Sequence, residues 1–348
     1  MGIYISEDDS GYISSKLQSF LIELKDSTFF ITGATGFFGK WLLQSLLSLS
    51  EKYDLNISII GLSRSPETFI LEYPDLKSKI KWIKGDISTF TFPVRKVDYI
   101  IHGATEADAQ LNLQNPIRML DTITYGTRRL LEYSRSQTDL KSVLIISSGA
   151  IYGRQPEEIK HIKENTYFGI DISATTSAYT EGKRLAELYS LIYQKQFNIP
   201  VKIARCFAFV GPYLPLTKHF AIGNFINDGI NKTDIIVRGD GTPLRSYMYA
   251  ADLVVSLLNI LMRGNSGEAY NVGSDKAISV YDLAKMVSEF FPGIKVRLLD
   301  NVTKIDRSYN YVPDISKLIN EFGLVDHIHL YEAISRTIEF NKIYKSKI

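Results

Sequence analysis

The chain has 348 residues, 45% hydrophobic and 22% charged, with a net charge of +2, enough to bury a sizeable core in one domain with a subdomain or two and too balanced to give nucleic acid a basic field. No apolar run approaches the ~20 residues that span a bilayer, and Met1-Gly2-Ile3-Tyr4-Ile5-Ser6-Glu7-Asp8-Asp9 lacks the basic and apolar regions of a secretory signal. One cysteine, Cys206, excludes an intramolecular disulfide, and no Cys/His cluster has metal-ligand spacing, so a soluble, cytoplasmic protein without a bound metal is expected.

Residues 1–27 precede the first strand and contain a helical-looking segment from Ser14 to Lys25, placed either on the edge of a sheet or on a partner. Phe29-Phe30-Ile31 then reads as a strand and feeds into Thr32-Gly33-Ala34-Thr35-Gly36-Phe37-Phe38-Gly39, after which Trp41-Leu42-Leu43-Gln44-Ser45-Leu46-Leu47 has helical apolar spacing. Strand, Gly-x-x-Gly-x-x-Gly loop and helix follow in the order that seats a dinucleotide pyrophosphate. Glycines permit the tight turn and close approach, and a helix N-terminus offers N–H groups and partial positive charge. Gly33, Thr35, Gly36, Phe37, Phe38 and Gly39 are therefore candidate cofactor contacts.

The next strand, Ile57-Ser58-Ile59-Ile60-Gly61-Leu62, ends in Ser63-Arg64. An acid that would bind a ribose 2′-hydroxyl is absent, and Arg64 suits a 2′-phosphate unless it is a solvated loop arginine, which favours NADP slightly over NAD. Lys81-Trp82-Ile83-Lys84-Gly85-Asp86-Ile87 reads as a strand whose Asp86 either accepts from the adenine amino group, with Ile87 beside it, or caps the following turn. Val97-Asp98-Tyr99-Ile100-Ile101-His102-Gly103-Ala104 is a further strand, with small residues such as Ala104 where backbone passes the cofactor.

Ile145-Ile146-Ser147-Ser148-Gly149-Ala150-Ile151-Tyr152-Gly153 runs from strand to loop and carries Ser148. Downstream, Ser177-Ala178-Tyr179-Thr180-Glu181-Gly182-Lys183-Arg184 puts the Tyr179 phenol and Lys183 ammonium on one helical face. A free tyrosine, with a pKa of about 10, is a poor base at neutral pH. Bringing a phenol near neutrality takes about 4 kcal/mol, which an adjacent ammonium and a positively charged nicotinamide can supply. The result is a base able to take a proton from a sugar hydroxyl while hydride leaves the same carbon.

Cys206 follows the apolar run Ile199-Pro200-Val201-Lys202-Ile203-Ala204 and reads as a buried structural thiol. The alternation of short strands and longer helices from Thr28 to about Arg205 indicates a parallel sheet covered on both faces. Gly211 to Gly241 is richer in Pro, Gly and aromatics and opens a smaller substrate-binding part. Within Gly241-Thr242-Pro243-Leu244-Arg245-Ser246-Tyr247 the planar Arg245 guanidinium matches phosphate geometry.

Together these residues resemble the extended short-chain dehydrogenase/reductase family in its nucleotide-sugar epimerase/dehydratase branch. The likeness runs from about Ser27 to the last helix and takes in the glycine loop, Gly85-Asp86, Ser148, Tyr179, Lys183, Arg205, Gly211-Pro212, Gly223-Asn224-Phe225, Gly239-Asp240-Gly241, Arg245, Asp252-Leu253 and Tyr270-Asn271-Val272-Gly273. Glu181-Gly182-Lys183-Arg184 with Ala186-Glu187, and Asn224-Phe225, are similar to the UDP-glucuronate decarboxylases and, with the rest, to dTDP-glucose 4,6-dehydratase.

The resemblance implies a Rossmann-type α/β fold, a doubly wound parallel sheet over 28–205, and a smaller C-terminal substrate-binding subdomain over 206–348, some of whose segments return to the first. It implies that Tyr179 takes the C4 proton, Ser148 holds that oxygen, Lys183 binds the nicotinamide ribose, and Asn224 and Arg245 contact the diphosphate of a nucleotide sugar. It also implies a homodimer through the helices after Asn115 and around Tyr179. Departures are equally informative. Gly149 and Ala150 stand where the 4,6-dehydratases carry an Asp-Glu pair and the decarboxylases a Glu, so any proton transfer beyond C4 needs another group, with Glu106, Asp108 and His219 as candidates that are otherwise solvated or capping residues. Ala208 and Ile123 replace common asparagines. Ser, Tyr and Lys alone support oxidation at C4 with return of the hydride, most simply 4-epimerisation, against a dehydratase, a decarboxylase, an NADPH-dependent 4-keto reductase or a non-catalytic cofactor sensor.

Overall fold

Ser6 starts the first helix, α1 (Glu7–Lys16), by accepting the Asp9 N–H on its Oγ at 3.1 Å, and Glu7, Asp8 and Asp9 put negative charge where the helix dipole favours it. The helix begins well before the expected Ser14, and a 3₁₀ stretch, Gln18–Leu24, fills the rest of that segment. The computed structural model describes residues 5–93, 95–105, 109–218, 220–299, 310–325 and 327–345. α1 lies on α2 (Phe37–Tyr53), with Ser10 and Ser48 hydroxyls 2.7 Å apart and Lys52 Nζ donating to Ser14 Oγ at 3.0 Å.

Six strands follow in the first part of the chain: β1 (Thr28–Thr32), β2 (Ser58–Ser63), β3 (Lys81–Lys84), β4 (Tyr99–His102), β5 (Ser142–Ser148) and β6 (Val201–Cys206). With the strand Ala269–Val272 they form one seven-stranded sheet, ordered Ala269–Val272, β6, β5, β4, β1, β2, β3. Neighbours from β5 to β3 pair in parallel. Every residue of β1, β4, β5 and β6 is buried, which requires cover on both faces and explains why these strands read as apolar runs without alternation.

From β1 the chain builds outward through β2 and β3, then returns to the other side of β1 at β4. The carboxyl ends of β1 and β4 therefore diverge, which is where open α/β sheets bind ligands. Between strands run α3 (Pro66–Glu72), α4 (Ala109–Gln114), α5 (Pro116–Arg135) and α6 (Ala178–Phe197). Gly182 lets α6 press on α5, because a Cβ there would stand 3.1 Å from Ile123 Cδ1. Ile123, where an asparagine was the family expectation, is buried with Met119 and Ala186 and spends its side chain on that apolar contact.

Two units emerge from the contacts. One is Met1–Ile151, Asp171–Arg205 and Val254–Tyr270; the other is Tyr152–Ile170, Cys206–Leu253 and Asn271–Ile348. In the second, the Asn271 side chain accepts from Tyr152 Oη at 2.7 Å and donates to Ile162 O and Asp314 O at 2.8 and 3.1 Å, so one buried amide ties three segments. Asp252 likewise accepts the N–H groups of His327 and Ile328, each at 3.2 Å. Among the described residues no helix is long and apolar enough to cross a membrane.

Candidate active site

Where β1 and β4 diverge, their following loops touch. Gly33 adopts φ +72°, and a Cβ on it would lie 2.6 Å from Gly103 O; one on Gly39 would lie 2.3 Å from Ala34 O. Only glycine fits either place. Gly36 caps α2 without a side-chain bond, no acid occupies the first turn, and the helical ladder begins with Lys40 N–H to Gly36 O at 2.9 Å. The first turn of an α-helix directs its N–H groups outward along the axis, so this cradle fits a dinucleotide pyrophosphate by charge, by donors and by the space its glycines leave.

Thr35 Oγ1 and Ser63 Oγ lie 3.2 Å apart, joining the glycine loop to the end of β2. Asp86 caps its own turn, accepting from Ser88 N–H at 2.9 Å and Ser88 Oγ at 2.6 Å. Burial opposes its ionisation, but the Ser88 bonds and the Arg64 and Arg118 charges together hold its carboxyl below the usual range. Arg64 is exposed beside it. Ile87 is buried, its side chain filling the space beside Gly126.

Ala104 N–H donates to Thr32 Oγ1 at 3.1 Å, and Thr32 Oγ1 lies 2.8 Å from His102 Nδ1. On the other side, His102 Nε2 lies 3.1 Å from Thr127 Oγ1, whose hydroxyl proton goes to Ile123 O at 2.6 Å. Thr127 can then only accept, so Nε2 carries the proton and Nδ1 accepts from Thr32. A neutral, buried imidazole thus fastens α5 to both cofactor loops. Burial first, and the Lys183 ammonium second, push it down to about 3.

That histidine sets an acid limit on stability. In the unfolded chain it takes a proton as pH falls through about 6.5, whereas the folded protein keeps it neutral down to about 3. The unfolded state binds more protons across that window, so stability drops as pH falls through it. Urea midpoints for the wild type and for His102→Gln at pH 7 and 4.5 should show a shallower acid decline in the variant. Equal declines would refute a neutral buried imidazole.

Ser148 ends β5 and is buried. Its Oγ accepts from Ala150 N–H at 3.1 Å, which leaves its own proton to give to a substrate oxygen. Tyr179 is the second residue of α6 and packs partly buried on the Met119, Ile123 and Ala186 cluster. Lys183 Nζ stands 6.0 Å from the centre of the Tyr179 ring and donates to Ile146 O at 2.8 Å and Thr105 Oγ1 at 3.1 Å. The helix start also favours negative charge on a first-turn side chain. Beside Ser148, Gly149 and Ala150 bring no proton-moving group.

Glu187, one turn beyond Lys183, is buried against Arg205 of β6. Arg205 Nη2 donates to Glu187 Oε2 at 2.8 Å and Nε to both carboxylate oxygens at 3.2 Å, and the Ser147 hydroxyl donates to Oε1. Both were motif residues without a role in the sequence; here they join strand ends to the helix carrying Tyr179 and Lys183. Thr105, Thr32, Thr127 and Asn112 carried no signal in the sequence, since their partners lie far along the chain. Asn224 sits half-buried on the helix Ala221–Ile230, and Arg245 in the strand Leu244–Arg245; both belong to the second unit. Arg245 Nη1 donates to Leu244 O at 2.9 Å, and burial draws its guanidinium down against the opposing influence of Tyr247 and Tyr311. Glu106, Asp108 and His219 lie outside the described residues.

The glycine-loop cradle at the switch point of a doubly wound parallel sheet is that of a dinucleotide-binding fold. The chain belongs to the NAD dependent epimerase/dehydratase family, whose model matches residues 29–273. It is 26% identical over 340 residues to UDP-glucuronic acid decarboxylase 6 of Arabidopsis thaliana, covering 94% of this chain and 95% of that protein. It is 26% identical over 323 residues to dTDP-D-glucose 4,6-dehydratase of Mus musculus, covering 89% and 87%. In fold it resembles an epimerase of Methanothermobacter thermautotrophicus, with TM-score 0.82, 22% identity and coverage of 96% and 97%.

Proposed function

We propose that this enzyme oxidises the C4 hydroxyl of a nucleotide-diphosphate sugar and returns the hydride to the opposite face, a 4-epimerisation. What carries the reading is the grouping of Tyr179 and Lys183 on one helix with Ser148 at the neighbouring strand end, next to Gly149 and Ala150, which cannot move protons. Bound NAD(P) supplies the hydride acceptor and donor. Tyr179 takes the C4 proton, and the Ser148 hydroxyl steadies that oxygen. Lys183, held by Ile146 O and Thr105, places a cation beside the phenol and the ribose. Gly33, Thr35, Gly36, Phe37, Phe38 and Gly39 hold the pyrophosphate, Ser63, Arg64, Asp86, Ile87 and Ala104 border the nucleoside and backbone, and Asn224 and Arg245 contact the substrate diphosphate.

A second reading is decarboxylation, favoured by likeness to UDP-glucuronic acid decarboxylase. A C4 ketone next to a C5 carboxylate is a β-keto acid, which loses carbon dioxide readily, so the missing glutamate is a smaller obstacle there than in elimination of water. Incubating the purified enzyme with UDP-glucose, UDP-glucuronic acid, dTDP-glucose and GDP-mannose, and identifying products by NMR, separates the readings: a C4 epimer supports the first, a pentose the second, and a 4-keto-6-deoxy sugar overturns both.

Three finer points complete the reading. Arg64 favours NADP, so Arg64→Ala should weaken NADP by about tenfold with NAD nearly unchanged in fluorescence titrations; equal losses would sink the 2′-phosphate role. The exposed Leu185, Leu188 and Ile192 on α6 and Ile117 and Tyr125 on α5 suit burial against a second copy, and a monomer at all concentrations in sedimentation would exclude that. The buried Cys206, the one cysteine of the chain, suits a reducing cytoplasm, a placement that fractionation with antibody detection would test.

A further inference from the structure

The start of α6 is not closed by its own sequence. Its N-cap, Ser177, makes no side-chain bond into the helix and gives its hydroxyl to Asp171 O at 2.6 Å. The acceptor for the Tyr179 N–H comes instead from another helix: Asn112 Oδ1 of α4 takes it at 3.1 Å, while Asn112 Nδ2 donates to Thr176 O at 2.6 Å. The two bonds fix the amide's orientation, since a flipped amide would set donor against donor and acceptor against acceptor. Leu111, the preceding residue of α4, packs with the Tyr179 ring on the Met119, Ile123 and Ala186 cluster. The same inter-strand segment holds Lys183 through Thr105. The backbone of Tyr179 is thus held from α4, and its ring shares an apolar cluster with the α4 residue Leu111.

We propose that Asn112 is a positioning residue for the reaction: its side chain clamps the first turn of α6 and so fixes where the Tyr179 phenol meets the sugar hydroxyl. The inference rests on Tyr179 being the base, as argued above. A shift of an ångström in a reacting group costs on the order of a hundredfold in rate while leaving most binding contacts intact. Loss of the clamp should therefore appear in kcat and not in KM.

The test uses the fastest-converted member of the nucleotide-sugar panel, with rates normalised to the cofactor-loaded fraction of the protein. Asn112→Ala should lower kcat by about 10- to 100-fold with KM and cofactor affinity within about threefold of wild type. Asn112→Asp keeps the acceptor for the Tyr179 N–H but sets a second acceptor against Thr176 O, so its rate should lie between those of Asn112→Ala and wild type. Wild-type kcat in Asn112→Ala, or a rise in KM in place of the lost kcat, would each overturn the clamp. Tyr179→Phe serves as the control: full turnover there defeats the base assignment itself, and its inactivity beside a fully active Asn112→Ala defeats only the clamp.

Discussion

Tyr179→Phe should lower turnover by roughly 10²- to 10⁴-fold, the range general acid–base catalysis contributes, with cofactor affinity unchanged within a small factor. The asymmetry comes from where the ring lies. Its carbon framework packs on Met119, Ile123 and Ala186, contacts a phenylalanine ring keeps, and the cofactor cradle is built from the glycine loop after β1, which owes nothing to the phenol oxygen. What the variant lacks is the phenol oxygen at the start of α6, on a ring whose centre lies 6.0 Å from the Lys183 ammonium that two hydrogen bonds hold in place. Single-turnover kinetics on the NMR-identified substrate, paired with cofactor titration, would measure both quantities. Undiminished turnover with intact cofactor binding would end the base assignment; inactivity of the wild type towards every nucleotide sugar with intact binding would favour a cofactor sensor.

How much of this was legible in the sequence follows from the range of the interactions. The glycine loop could be read because every requirement is local: a strand, a turn that admits φ +72° at Gly33, and a helix whose first turn carries no acid. Tyr179 and Lys183 could be read because the helical period alone puts them on one face. α1 was misplaced because the apolar spacing after Ser14 outweighed the shorter signal at Ser6 and the three acids behind it; the later stretch buries Phe20, Leu21 and Leu24 as a 3₁₀ segment instead. Asn112 was invisible, since a polar residue in a short helix gives no hint that its amide closes a helix 67 residues later. The His102 network needed three elements assembled before the tautomer had meaning.

Glu187→Ala should destabilise the folded protein by about 3–5 kcal/mol, the cost of leaving a buried charge without its partner. Glu187 and Arg205 are 6% and 7% exposed, so water cannot replace the lost carboxylate, and the Ser147 hydroxyl loses its acceptor as well. The pair itself contributes far less than that figure, because desolvating two ions consumes most of their attraction. The double variant Glu187→Met/Arg205→Leu, which fills the volume with apolar side chains, should therefore recover most of the stability lost in the single one. Urea unfolding of wild type, single and double variants at pH 7 reads this directly. A single-variant loss below about 1 kcal/mol would mean that the network is solvated in solution. A double variant as unstable as the single would mean that the ion pair holds the ends of β5 and β6 against α6 in a way apolar packing cannot, and through Ser147 that constraint passes to Ser148, the neighbouring residue in β5.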